Sequence, residues 1–215
     1  MIDPAEVASR VQIVRNEIAS AGGIHVQLIA VTKTFGIDAV DAAFSSGCDA
    51  IGENYAQELH AKIEHGLADI PVHFIGAVQS NKVKLIASSV SMWHTVDRES
   101  VIVEIAKRSP GAAVLLQVNT TAEPTKGGVA PAEVDALRVR ATEAGLSVRG
   151  LMTIGPTHGS VREQESAFQL LRRLADEQQL PECSMGMSDD FPVAVACGST
   201  MVRIGSRLFG ARAAK

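Results

Sequence analysis

The stretch VQLIAVTK, residues 26–33, is a short apolar run rich in branched side chains. A run of this length and composition predicts a β-strand that is buried on both faces, as strands of a parallel sheet are. The segment before it has apolar residues at helical spacing from Val7 to Ile18, and the pattern stops at Gly22-Gly23. We therefore predict a leading helix followed by the first strand of a parallel sheet.

The alternation of short apolar runs and longer amphipathic segments continues along the chain. Each predicted strand is followed by a segment with helical spacing, as at 54–66 and 162–179. The predicted strands are 26–33, 49–53, 71–77, 92–97, 112–119, 147–155, 182–187 and 200–205. Eight strands separated by helices are typical of a closed barrel. The predicted fold is α/β, a single (β/α)8 TIM-type barrel domain over residues 1–215 with an extra N-terminal helix, and an open doubly wound sheet is the alternative.

Charge and hydropathy exclude several classes of protein. The chain has 215 residues and a formal net charge of −4, and its basic residues are scattered, so no surface is expected to attract a nucleic-acid backbone. The N-terminus lacks the basic start and apolar stretch of a signal peptide. No run approaches the roughly 18 apolar residues of a membrane span. We expect a cytoplasmic protein with neither nucleic acid nor a membrane as a partner.

Cysteine and histidine spacing predicts no metal site. Cys48, Cys183 and Cys197 are far apart and form no CxxC pair, so we interpret them as buried thiols. His60 and His65 are five residues apart and do not share a helical face as a metal pair would. There is also no GxSxG motif for a hydrolase. No metal ligand and no catalytic residue are assigned.

Lys33 is the first candidate for a functional residue. In a barrel of this type, functional groups collect at the C-terminal ends of the strands. Lys33 directly follows the first predicted strand, where apolar walls would favour the neutral, nucleophilic amine. The alternative is an ordinary solvated lysine that ends a strand.

The segment 185–212 contains two further candidates. Ser188 and Gly205-Ser206 lie at strand-to-helix junctions, where free N–H groups bind phosphate, although two ordinary helix caps would have the same pattern. Arg203 stands inside an apolar strand, where a permanent cation needs a partner. That partner is either a structural carboxylate or a ring nitrogen of a bound ligand.

Several stretches together resemble the pyridoxal-phosphate homeostasis protein family, the single-domain relatives of the alanine racemase barrel. They cover nearly the whole chain in the family's order. The stretches are LIAVTKTFGIDAVDAAFSSGCDAIGENYAQE (28–58), HFIGAVQSNKVKLI (73–86), HTVDRE (94–99), QVNTTAEPTKGGV (117–129), GLMTIGP (150–156), MGMSDDF (185–191) and GSTMVRIGSRLFGAR (198–212).

The resemblance implies a role for seven residues around one cofactor, pyridoxal 5′-phosphate. Lys33 would form the Schiff base, and Arg203 would face the pyridine nitrogen. The phosphate would be bound by Ser188, Gly205 and Ser206, and the surroundings of the ring would include Asn54 and Met152. The chain departs from the usual family pattern at Thr32, Ala77, Pro192 and Ser206.

Two functions compete on this reading. One is a monomeric carrier or buffer of the cofactor in vitamin B6 homeostasis, without substantial catalysis, that passes the cofactor to pyridoxal-phosphate-dependent apo-enzymes. The other is a racemase-like enzyme, which needs a second acid/base group opposite the lysine. In the racemase relatives an additional domain supplies that group as a tyrosine, and we expect no such domain here. Tyr55, the single tyrosine, lies at a helix start, so the carrier is favoured.

Overall fold

A computed structural model describes residues 2–67 and 70–210, which form a closed barrel of eight parallel strands in sequential order. Strand β1 pairs with both β2 and β8, which closes the barrel. The strands are β1 (Gln27–Val31), β2 (Ala50–Glu53), β3 (Val72–Phe74), β4 (Met92–Val96), β5 (Ala113–Gln117), β6 (Ser147–Met152), β7 (Glu182–Ser184) and β8 (Met201–Ile204). The predicted (β/α)8 barrel is confirmed, and the open doubly wound sheet is excluded.

Helices follow the strands on the outside of the barrel, and α1 precedes β1 as predicted. The helices are α1 (Pro4–Ser20), α2 (Ile37–Ser45), α3 (Ala56–Glu64), α4 (Ser80–Ile86), α5 (Glu99–Arg108), α6 (Val134–Glu143), α7 (Val161–Glu177), α8 (Phe191–Ala196) and α9 (Ser206–Phe209). A 3-10 turn over Pro131–Glu133 leads into α6. In the part of the chain that the structure describes, no helix has the length and apolar composition that crossing a membrane requires.

Apolar side chains fill both the barrel interior and the layer between strands and helices. Alternate residues of a strand point to opposite faces of the sheet. Residues of β1 thus divide between the interior, which receives Ile29, and the outer layer, which receives Leu28 and Ala30. This two-sided burial explains why the strands lack a polar alternation and could be recognised as continuous apolar runs.

Seven of the eight strands end earlier than predicted, β3, β6 and β7 by three residues each, and β3 illustrates the reason. The apolar run 71–77 continues past Phe74, but the backbone leaves the sheet there. A Cβ atom at Gly76 would lie 1.9 Å from the carbonyl oxygen of Asn54, so the two loops cross in close contact. Apolar residues after the strands therefore line the mouth of the barrel. Of the stretch 198–212, Ala211 and Arg212 lie outside the described residues.

Candidate functional site

A cavity of about 290 Å³ opens at the C-terminal ends of the strands. All seven residues singled out from the sequence line it, although they come from five different strand ends. They are Lys33, Asn54, Met152, Ser188, Arg203, Gly205 and Ser206. The structure thus brings the predicted set together, and its binding role stays a prediction.

The backbone before Lys33 is held by a buried ion pair that sequence reasoning missed. Lys62 on α3 donates to Glu53 Oε1 at 2.5 Å and to the carbonyl oxygen of Thr32 at 2.8 Å. The Thr32 hydroxyl donates to the same Glu53 oxygen at 2.6 Å. Burial raises the pKa of Glu53, while the charge of Lys62 and these hydrogen bonds lower it. The only signal in the sequence was a glutamate at the end of a buried strand.

The backbone after Lys33 is held from the same helix. Thr34 has a positive φ of 68°, a conformation that costs energy for a residue other than glycine and persists only when its surroundings hold it. Its N–H donates to the carboxylate of Glu58 on α3. Lys33, which is partly buried, is therefore presented to the cavity by a loop fixed on both sides.

Arg203 is 4% exposed and lies in the barrel interior. Its Nη1 donates to Ser184 Oγ at 2.7 Å, and its Nη2 donates to the carbonyl oxygen of Thr153 at 2.9 Å. Burial lowers the pKa of Arg203 to about 10, and the charge of Asp190 acts in the opposite direction. The guanidinium stays charged at neutral pH. Among residues 2–67 and 70–210 no carboxylate forms a hydrogen bond or ion pair with it, so the structural-carboxylate alternative finds no partner there.

A line of buried polar side chains continues from Arg203 across the barrel. Ser184 Oγ lies 3.0 Å from His94 Nδ1, and His94 Nε2 lies 2.9 Å from His73 Nδ1. Burial lowers the pKa of His73 to about 4 and that of His94 well below its ordinary value. Both imidazoles are therefore neutral at neutral pH. Arg203 is held by neutral hydrogen-bonding groups, a connection that sequence spacing did not reveal.

The phosphate candidates lie on the two segments that lead from β7 and β8 into short helices, and both segments line the same cavity. Gly205 is the N-cap of α9, and no side chain caps that end, so the first N–H groups of the helix lack internal partners. Ser188 is not an N-cap: α8 begins at Phe191 with Asp190 before it. The ordinary-cap interpretation of Ser188 is therefore wrong. Pro192 stands in the first turn of α8, where a missing N–H removes no helical bond.

The rest of the cavity surface was not predicted. Apolar side chains at or just beyond four strand ends and one exposed carboxylate complete it. They are Val31, Ile75, Ile154, Met187 and Asp189. The four apolar residues are among the last three residues of their predicted strands, so the ends of those apolar runs could have indicated them, because strand ends face the mouth of a barrel.

The three cysteines differ in burial. Cys48 and Cys183 are buried, and burial raises the pKa of each thiol to about 12. Cys197 is partly exposed, so its assignment as a buried thiol was wrong: it ends the short helix α8, where the chain reaches the surface. Within the described ranges, no group of three or more His, Cys, Asp or Glu side chains could hold a metal ion.

Comparison with known proteins gives a consistent set of relatives. The family model described as the alanine racemase N-terminal domain matches residues 2–213. A pyridoxal phosphate homeostasis protein of Haemophilus influenzae is 39% identical over 203 residues, which cover 87% of this chain and 85% of that protein.

Two solved structures share the fold over nearly their whole length. A structure described as an unknown protein from Bifidobacterium adolescentis superimposes with a TM-score of 0.89 at 32% identity, and the match covers 97% of this chain and 98% of that chain. PipY of Synechococcus elongatus with PLP bound has a TM-score of 0.83 at 33% identity, with 95% and 100% covered.

Proposed function

The chain belongs to the alanine racemase N-terminal domain family and, within it, to the pyridoxal phosphate homeostasis proteins, and we propose that it binds pyridoxal 5′-phosphate and carries or buffers it. The observation that carries this proposal is one cavity lined by a lysine, a buried arginine and two strand-to-helix junctions. A homologue that covers the same length, PipY, has PLP bound.

The residues of the cavity fit this cofactor in three respects. A cavity of about 290 Å³ is close to the lower end of the roughly 300–1,000 Å³ usual for small-molecule sites. Arg203 uses two of its five N–H donors on the protein, so donors remain for a ring nitrogen. The buried Oδ1 atom of Asn54 has no hydrogen-bond partner among the described residues, and an unpaired buried polar atom is costly unless a ligand or water satisfies it.

Lys33 supplies the covalent link in this proposal. Its amine condenses with the cofactor's aldehyde, so that a C=N bond forms and one water leaves, which is a Schiff base. The clamp of Thr32 and Thr34 holds the loop on both sides, which lowers the entropy lost on binding. The N–H groups around Ser188, Gly205 and Ser206 would bind the phosphate, and Met152 would line the ring's surroundings.

Arg203 favours storage over catalysis. The bound cofactor supplies an electron sink, which is strongest when its ring nitrogen is protonated. A guanidinium only donates hydrogen bonds, so a bond from Arg203 requires that nitrogen to be unprotonated. Nitrogen-15 shifts of labelled cofactor should therefore report a neutral pyridine at neutral pH, and a pyridinium shift would contradict this assignment.

The racemase-like alternative requires a second base, and the observed position of Tyr55 does not favour it. Tyr55 is 55% exposed and does not line the cavity that holds Lys33. A general base must come within hydrogen-bond reach of the proton it removes. We therefore infer a non-catalytic protein. From the sequence analysis we also propose that it is a single barrel domain and a monomer in the cytoplasm, with apo-enzymes as recipients.

The test is borohydride reduction of the protein mixed with cofactor, followed by peptide mapping. Label on Lys33, and its loss in Lys33→Ala with full retention in Lys107→Ala, is the expected result. Label on another lysine with Lys33 unmodified would refute the assignment. A coupled racemisation assay tests the carrier role separately, because turnover of about 1 per second or more would restore the enzyme alternative.

A further inference from the structure

A second cavity, of about 200 Å³, lies outside the barrel between helices α3 and α4 and strands β3 and β4. Its volume is several times the about 30 Å³ that one water takes up in the liquid. The apolar part of its wall is formed by Phe74, Val78, Val83, Ile86 and Trp93. The cavity is thus suited to a small ligand with an apolar body.

Trp93 gives this cavity an unmet requirement for a hydrogen-bond acceptor. The residue is fully buried, and among the described residues its indole Nε1–H has no partner. A buried tryptophan N–H usually finds an acceptor, and leaving it unpaired is unfavourable. Trp93 is part of the cavity wall, so we take an occupant of the cavity as the candidate for that acceptor.

The other polar groups of the wall include an acceptor and a cation: the buried Oδ1 atom of Asn54 has no partner among the described residues, and Lys82 carries a donor group. Lys82 is partly buried, and no ion pair to it is found in residues 2–67 and 70–210. Helix α3 begins at Ala56 without a side-chain cap, so its first N–H groups lack helical partners and favour negative charge. An occupant with a carboxylate would satisfy this cation and these donors.

The wall of the cavity is held in place by neighbouring elements. Thr95 Oγ1 donates to the carbonyl oxygen of Gly76 at 2.5 Å, and Arg98 Nη2 donates to that of Val78 at 2.6 Å. Gly76 in turn lies against the backbone of Asn54. The loop after β3 is therefore tied to β4 and α5, and the cavity exists before a ligand enters.

We propose that this cavity, which shares Asn54 and no other wall residue with the cavity that holds Lys33, is a second binding site for a small aliphatic monocarboxylate. The apolar wall receives the hydrocarbon body, and the carboxylate lies near Lys82 and the start of α3. An added ammonium group is disfavoured, because it would face the positive charge of Lys82.

Trp93 is the only tryptophan of the chain and lines this cavity, so its fluorescence reports on the surroundings of the cavity wall. We would titrate the cofactor-free full chain with 4-methylpentanoate, 4-methylpentanamide and L-leucine. Saturable change with the carboxylate, and at least about tenfold weaker binding of the amide, is expected from loss of the charge-assisted hydrogen bonds. L-leucine should bind more weakly than 4-methylpentanoate.

Lys82→Ala should weaken 4-methylpentanoate binding about tenfold, and Lys84→Ala, on the same helix but outside the cavity wall, is the matched control. Val83→Phe, which fills the cavity, should abolish the response. Equal affinity for acid and amide, equal effects of the two lysine variants, or no response in a protein with a native circular dichroism spectrum would overturn the proposal. Because no cofactor is present, none of these outcomes depends on Lys33.

Discussion

Ser184→Ala tests whether the line of polar side chains in the barrel holds Arg203. The hydroxyl of Ser184 is fully buried, accepts from Arg203 Nη1 at 2.7 Å and lies 3.0 Å from His94 Nδ1. A hydrogen bond to a charged group contributes about 1.5–3 kcal/mol and a neutral one about 0.5–1.5 kcal/mol. Removing the hydroxyl should therefore lower the free energy of unfolding by about 2–4 kcal/mol.

The measurement is urea unfolding followed by circular dichroism. The m-value, which is the dependence of the free energy of unfolding on urea concentration, is compared between the variants. For a chain of this size the expected loss corresponds to a fall in Tm of about 4–16 °C. Cofactor affinity should also fall, by about 3- to 10-fold, because the Thr153 carbonyl alone then orients Arg203.

Ser199→Ala is the matched control. The Ser199 hydroxyl is also buried, but it donates to backbone carbonyls, at 2.7 Å to Met185 and 3.0 Å to Met201. This variant should lose stability and keep the cofactor affinity of the unaltered chain. The reasoning is refuted if Ser184→Ala is as stable as the unaltered chain, or if both variants change cofactor affinity equally.

Three further changes probe the site, the barrel interior and the mouth loops. Gly205→Val should weaken binding of pyridoxal 5′-phosphate far more than binding of pyridoxal, because the added side chain enters the proposed phosphate site. The fold should tolerate the change, since a Cβ atom there lies at an ordinary contact distance of 3.4 Å from Val31. Equal losses of affinity for the two ligands in parallel titrations would remove the phosphate assignment. Burial lowers the pKa of His73 to about 4, so below about pH 6.5 the unfolded chain binds a proton that the folded chain excludes. The contribution of His73 to the free energy of unfolding is therefore complete above about pH 6.5. It falls as the pH drops towards about 4, by up to about 1.4 kcal/mol per pH unit. Urea midpoints at about pH 7 and about pH 5 should then differ less for His73→Gln than for the unaltered chain, and identical differences would contradict this sign. Gly76→Ala should cost at least about 2 kcal/mol of unfolding free energy, since its Cβ would lie 1.9 Å from the Asn54 carbonyl oxygen, and a thermal melt unchanged from that of the unaltered chain would show that the loops separate freely.

The barrel could be predicted from the sequence because its signals are local. Each strand is an apolar run that is buried on both faces, as 26–33 is, and each helix has its own periodicity. Eight strands that alternate with helices can bury all their apolar faces in only a few architectures, and the closed barrel is one of these. Lys33 and Arg203 were found for a similar reason, since a charged residue in or after an apolar strand contradicts its local pattern.

Contacts across the barrel were decided only by the tertiary structure. Ser184, His94 and Arg203 lie on three strands and are joined by hydrogen bonds that span up to 90 residues of sequence, so no spacing rule connects them. Lys62 is buried and forms an ion pair with Glu53, although its position in an amphipathic helix is equally compatible with an exposed lysine. Burial and hydrogen bonding set the protonation of such groups, and both depend on the neighbours that the closed barrel brings together. The sequence by itself therefore determined the scaffold and the chemical groups at its mouth, whereas three-dimensional closure determined which groups meet and in what charge state.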